Sequence, residues 1–359
     1  MPTLRWDLFC RVIDNHGDLG VCWRLACQLA ARGQIVRLWV DNPAALAWMA
    51  PAGADHVELV HWTVPAPVHG SGDVVVEAFG CDPPASFIKS MAQAKRAPLW
   101  INLEYLSAES YVARCHGLPS PQLSGPAQGL LKWFFYPGFS ARTGGLLREG
   151  DLFQQRQAFD AAAWLRAQGV ERKPGERLVS VFCYENAPLA DLLEAWRMAP
   201  TLLLLTPGAA QQRAHALLAA QPEPSRLRGI DLPWLTQTDY DGLLWACDLN
   251  IVRGEDSLVR ALWAGVPFLW QIYPQQDDAH ALKLDAFLDM YLLGAASSLA
   301  RPLRRLWRVF NGLDSRPGNE PVEWPEPAAW ASHAMARRDT LWAQPDLATQ
   351  LIRFVDEKR

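Results

Sequence analysis

The feature that most constrains this chain is a pattern repeated in two successive series. A short apolar run ends in a polar or glycine-containing turn, and a stretch of helical periodicity follows. In the first series, residues 6–13, 35–40, 73–77 and 99–102 read as strands. The first strand is followed by the polar turn 14–20 and by a helix over 19–31, with Gly33 placed to end it. Runs apolar on both faces suit buried parallel strands, and their alternation with helices predicts a doubly wound sheet. The region 120–150 is rich in Gly and Pro and reads as loop and a late strand around Trp133-Phe134-Phe135-Tyr136. A helix over 153–168 then leads to Lys173-Pro174-Gly175-Glu176, the best linker candidate. The second series places strands at 178–184, 201–206, 226–229, 249–252 and 267–271, alternating with helices at 188–198, 209–220, 239–246, 256–264 and 277–291. The expectation is an α/β chain of two facing Rossmann-like domains, 1–170 and 171–330, with a cleft between them. A helical tail, 331–359, is able to pack back on the N-terminal domain.

The totals exclude several classes. The 359 residues suffice for two such domains with sizeable cores. Lys and Arg number 34 against 38 Asp and Glu, so the chain lacks the basic excess that general nucleic-acid binding needs. The start, MPTLRWDLFCRV, turns polar too soon for a signal peptide. No apolar run approaches the roughly 20 residues that cross a bilayer. Seven cysteines without a CxxC pair and eight histidines without HxxxH or HExxH predict a cytoplasmic protein with no metal site.

Two strand-to-helix turns carry the chemistry. Asp14-Asn15-His16-Gly17-Asp18-Leu19-Gly20 lies where a strand delivers its C-terminal end into a helix, the edge at which open α/β sheets bind ligands. It is not GxGxxG, which disfavours a dinucleotide oxidoreductase. Asp14 and Asp18 can clamp a cationic guanidinium, and one of them can accept a proton; Asn15 and Gly17 join them as substrate-binding candidates. The alternative is structural: Asp18 caps the helix and Asp14 forms an Asx turn.

The second turn is Asn250-Ile251-Val252-Arg253-Gly254-Glu255-Asp256-Ser257. Backbone N–H groups at such a helix start make a diphosphate site, with Arg253 as positive charge and Ser257 as a further donor. Glu255 and Asp256 would repel a diphosphate, so at least one faces sugar hydroxyls, the acceptor or the helix end. A capping box on a structural helix is the alternative. Downstream, the polar turn Gln271-Ile272-Tyr273-Pro274-Gln275-Gln276-Asp277 suits sugar hydroxyls, Gln275 among them. Phe182, Tyr184 and Trp234 can enclose a flat base and Gln237 can bond its edge, although core packing is the commoner fate of such aromatics.

Together, FCRVIDNHGDLGVCWRLACQLA, FCYEN and DYDGLLWACDLNIVRGEDSLVRALWAGVPFLWQIYPQQDDAH resemble the elongation factor P arginine rhamnosyltransferase family across both halves of the chain. The resemblance implies an inverting glycosyltransferase of the GT-B fold, with dTDP-β-L-rhamnose as donor and no metal or cofactor. It also implies elongation factor P as protein acceptor, modified on one arginine, and a role in translating polyproline stretches. On the same resemblance Asp18 matches the general base, Asp14 its companion and Glu255 an essential glutamate. Asp256 and Ser257 match positions that contact the diphosphate, beside the glycine turn at Gly254 read above; Arg253 and Gln237 fall on the nucleotide side, and Phe182 and Tyr184 in the donor-site aromatic pair. Trp234 departs from the pattern, standing where the family presents phenylalanine beside thymine. Two competing readings are a GT-B enzyme with a small-molecule acceptor and a non-catalytic nucleotide-sugar-binding protein.

Overall fold

The computed structural model describes residues 2–13, 16–62, 70–274, 279–315 and 323–359. Among the predicted site residues, Asp14, Asn15 and Gln275 lie outside them. The chain divides into two compact units: Met1–Leu152 with Ala343–Arg359, and Phe153–Trp342.

The first unit is built on strands β1 (Arg5–Cys10), β2 (Ile35–Val40), β3 (Val57–His61), β4 (Val74–Ala78), β5 (Leu99–Leu103), β6 (Pro119–Pro121) and β7 (Leu131–Phe135). They form one sheet in the order β3-β2-β1-β4-β5-β7-β6, parallel except for the β6–β7 pair. Successive side chains leave a strand on opposite faces, and here both faces are covered. Trp6, Leu8 and Cys10 enter one apolar core with Val36, Leu38 and Val40, while Phe9 enters the other with Trp39 and Trp100. The second core also holds charge. Asp7 takes a bidentate ion pair from Arg37 at 2.6 and 2.8 Å, and Glu77 pairs with Lys132 at 2.7 Å. Tryptophan indoles complete both carboxylates, Trp39 on Asp7 and Trp100 on Glu77. Burial nonetheless holds the Glu77 carboxyl above its ordinary value.

The second unit carries β8 (Arg177–Val181), β9 (Thr201–Leu205), β10 (Leu227–Asp231), β11 (Leu249–Arg253) and β12 (Phe268–Gln271), all parallel, in the order β10-β9-β8-β11-β12. Helices Gln237–Ala246 and Gly254–Ala264 are pinned by a buried bidentate pair, Arg260 to Asp241 at 2.7 Å on both oxygens.

Several boundaries differ from the sequence reading. The division falls after Leu152, not at 170, and the expected helix over 153–168 is two helices, Leu152–Ala158 and Ala161–Ala167. The second of these packs on the helix Gln237–Ala246 so closely that a Cβ on Gly242 would lie 2.8 Å from Trp164 Nε1. Leu165 and Val170 enter the core of the second unit. The Lys173–Glu176 turn therefore lies inside that unit. The tail is also split. Pro327–Trp342 stays with the second unit through the Trp263–Trp342 contact, whereas Leu347–Lys358 sends Leu347, Leu351 and Val355 into the core of the first. Asp346 caps that last helix by accepting the Thr349 N–H at 3.0 Å.

Candidate active site

In an open parallel sheet the ligand crevice opens where strand order reverses, at the carboxyl ends of the two strands that diverge. In the second unit those strands are β8 and β11. Phe182, Cys183 and Tyr184 follow the end of β8, and Phe182 N–H still donates to the Ile251 carbonyl at 3.0 Å. Arg253 ends β11, and the helix Gly254–Ala264 begins at the next residue. So abrupt a turn needs a left-handed backbone, which Gly254 supplies with φ 67°. Arg253 occupies the N-cap and makes no side-chain cap, since a guanidinium can only donate. The first-turn N–H groups thus face the carboxyl edge of the sheet beside a fixed positive charge, the arrangement that binds phosphate.

That charge is held by aromatic faces. The Arg253 guanidinium carbon lies 4.6 Å from the ring centroids of both Phe182 and Tyr184, and its Nη1 donates to the Cys183 carbonyl at 3.4 Å. Tyr240 supports Phe182 from behind, edge to face at 5.7 Å. Glu255 and Asp256 lie in the first turn, where acids suit the helix dipole. The Ser257 hydroxyl donates to the Arg253 carbonyl and accepts the Arg253 N–H at 3.2 Å. It therefore closes its own helical turn, the capping role weighed against a ligand role above. The indole of Trp270 donates to the Gly254 carbonyl at 2.8 Å, fixing the turn from the side.

Trp234 and Gln237 sit beyond β10, two strands from β8 in the sheet. Trp234 is 52 % exposed. Gln237 opens the helix that brings Tyr240 to Phe182, two residues earlier than the sequence pattern suggested. Thr236 is the N-cap, accepting from Asp239 N–H at 3.0 Å.

In the first unit the diverging strands are β1 and β4. After β1, the helix Gly17–Ala30 begins with His16 at its N-cap and no side-chain cap there. Asp18 lies in the first turn, 4 % exposed, and its Oδ2 accepts the Ile13 N–H at 2.9 Å, upstream of the turn. Behind it, burial drives the Cys22 thiol far up, reinforced by its contact with Cys10. After β4, Phe79 and Asp82 adopt left-handed φ of 59° and 48°. Non-glycine residues hold such conformations at a cost of about 1–3 kcal/mol each, and they concentrate at functional sites. Asn102 holds this turn, accepting the Gly80 N–H at 3.1 Å and donating to Glu104 at 2.7 Å. Phe79 stacks on Tyr105 at 4.2 Å. Burial raises the Glu104 carboxyl above its ordinary value.

Comparison with known proteins gives this geometry a family. The model of the elongation factor P (EF-P) rhamnosyltransferase EarP matches residues 6–356. This chain belongs to the EarP family. Among EarP relatives, the protein-arginine rhamnosyltransferase of Pseudomonas aeruginosa is 46 % identical over 97 % of this chain and 98 % of its own. That of Pseudomonas putida is 44 % identical over the same shares. A solved structure, reported as the structural basis for EarP-mediated arginine glycosylation of translation elongation factor EF-P, is 32 % identical. It covers 99 % of this chain and 100 % of its own at a TM-score of 0.70. The glycosyltransferase VinC, solved with dTDP, is 15 % identical at a TM-score of 0.51 over 98 % of this chain and all of its own, and shows the fold alone. The chain thus has the GT-B class of fold, two Rossmann-like units built on largely parallel sheets.

The structure brings Phe182, Tyr184, Arg253 and Gly254 together at one switch point, with Glu255, Asp256 and Ser257 in the adjoining helical turn. Gly17 and Asp18 stand at the other switch point. Sequence reading missed Phe79, Asp82, Asn102, Glu104 and Tyr240. Phe79, Asp82 and Glu104 follow strand ends, the one local signal they offer, whereas Asn102 lies within β5 and Tyr240 within the helix Gln237–Ala246. Gln271 was noticed for sugar hydroxyls, but its amide is engaged inside the protein: Oε1 accepts the Tyr184 N–H at 2.7 Å and Nε2 donates to Asn186 at 2.8 Å.

Proposed function

We propose that this chain transfers L-rhamnose from dTDP-β-L-rhamnose to an arginine of elongation factor P, with inversion at the anomeric carbon and without a metal. The observation that carries the reading is the helix start at Arg253–Gly254, a cation and a row of N–H donors at the switch point of the second unit. It belongs to a chain that matches the EarP family over residues 6–356. The second unit then binds the nucleotide sugar and the first the acceptor. Arg253 and the first-turn N–H groups stabilise the diphosphate as the anomeric C–O bond breaks. Trp234 offers a stacking face to thymine and Gln237 a hydrogen bond to its edge. Gln275 and Glu255 serve the sugar and the acceptor side.

Arginine is a poor nucleophile, since its guanidinium keeps its proton and delocalises its lone pairs. Asp14 and Asp18 orient it and localise its charge. As the nitrogen attacks opposite the leaving dTDP, one N–H proton passes to Asp18 and the new N–C bond forms with inverted configuration. The acceptor's place in translation makes the reaction cytoplasmic and ties it to the passage of ribosomes through polyproline stretches. Incubating purified elongation factor P with this protein and dTDP-rhamnose, then measuring intact mass, is the test. One added deoxyhexose on an arginine supports the proposal, and an unchanged mass with folded partners and intact donor refutes it.

A further inference from the structure

The Arg253 side chain is long and flexible, and a fixed cation needs something to hold it. Two rings lie against its guanidinium, but both belong to the turn after β8, which is not part of a strand. That turn is itself held from across the sheet. Gln271, the last residue of β12 and 3 % exposed, is the in-register neighbour of Arg253 in the β11–β12 pair. The sheet order is β8-β11-β12, so Gln271 lies on the far side of β11 from the turn. Its amide reaches past the end of β11 and meets both ends of the turn, accepting the Tyr184 N–H at 2.7 Å and donating to Asn186 Oδ1 at 2.8 Å. The Ala187 N–H donates back to the Tyr184 carbonyl at 3.1 Å, closing the loop on itself. A collar results: Arg253 in the middle, Phe182 and Tyr184 against it, and one buried amide fastening the turn that carries them.

We propose that Gln271 is a positioning residue of the nucleotide-sugar site, acting through Tyr184 and Asn186 to hold Arg253 where a nucleoside diphosphate binds. The proposal rests on the donor-site reading above. A buried amide whose hydrogen bonds are satisfied rigidifies the groups it joins, and this one spends its acceptor and a donor on a single turn. Losing it leaves the Tyr184 N–H without its partner, frees the turn and lets the guanidinium move. A preorganised cation binds an anion more tightly than one that must be ordered on binding.

The experiment is calorimetric titration of dTDP into the full-length protein and a double-mutant cycle with Arg253. Gln271→Met keeps the volume and removes both hydrogen bonds, so dTDP affinity falls about tenfold. In the Arg253→Ala background, Gln271→Met changes affinity by less than about twofold, because coupled residues are not additive. A role confined to stability would move the melting temperature and leave that coupling at zero. Unchanged affinity in Gln271→Met, or full additivity in the cycle, overturns the proposal. Absence of dTDP binding by the wild-type protein overturns the donor-site reading itself and the positioning role with it. Should Gln271→Met fail to fold, Asn186→Ala carries the test from the exposed end of the collar. There a loss of about threefold is expected for one neutral hydrogen bond, and wild-type affinity overturns the idea.

Discussion

Replacing Asp18 by Asn separates a base from a structural acid, because the structure predicts different magnitudes for the two roles. The carboxylate accepts the Ile13 N–H at 2.9 Å from within the first helical turn. Asparagine keeps an oxygen for that bond. What is lost in stability is the charge assistance of one hydrogen bond and a first-turn dipole interaction, together about 1–2 kcal/mol. For a unit of this size that lowers the melting temperature by roughly 2–8 °C. Loss of a general base, in contrast, slows the chemical step by about 10²–10⁴-fold. The assay is initial-rate transfer to elongation factor P at saturating donor, beside dTDP titration and a thermal melt on the same preparations. The expected result is turnover reduced by two decades or more, donor affinity unchanged and a small melting shift. Near-normal turnover would return Asp18 to a structural role. Parallel loss of dTDP affinity and activity would refute the assignment of Asp18 to the acceptor.

Other outcomes follow from the same geometry. Trp234→Phe should retain dTDP affinity while Trp234→Ala loses about tenfold or more, the usual worth of a base-stacking ring; equal affinity in both would remove Trp234 from the base site. Transfer in excess chelator should proceed at the untreated rate, since Arg253 and the helix N-terminus supply the positive charge; a large loss restored by magnesium or manganese would overturn this. His116 is held below the ordinary imidazole value of 6.5 by burial, and its Nδ1 accepts the Tyr136 N–H at 3.1 Å. The unfolded chain therefore takes up this proton first, so the contribution of His116 is intact above 6.5 and is lost as pH falls below it. His116→Gln should flatten that acid limb in urea midpoints measured at 6.5 and below; an unchanged slope would show that other groups set it.

The residues around Arg253 show how far local pattern reaches. An apolar run, an arginine, a glycine and two acids announce a strand turning into a helix, because each of those signals acts within a few residues of chain. The same holds for the turn that ends in Asp18, and the alternation of such units was enough to identify the sheet class. Helix starts shifted by about two residues where the cap lay outside the apolar pattern, as at Thr236. Which helix covers which sheet was not legible. The short helix at Ala161–Ala167 has the same periodicity wherever it packs, and it joins the second unit because Gly242 offers it a close approach. The last helix, Leu347–Lys358, likewise carries an apolar face that fits many surfaces, and the core containing Trp6 and Leu8 is the one it fills. Strand order was also undetermined by sequence. It places β8 next to β11 and β12 beyond, so that an amide 87 positions along the chain fastens Tyr184. Hydrogen bonding and periodicity between near neighbours are encoded locally, and the sequence by itself determined those. Contacts between distant segments depend on which buried faces match in shape and area, and only the folded chain decides that.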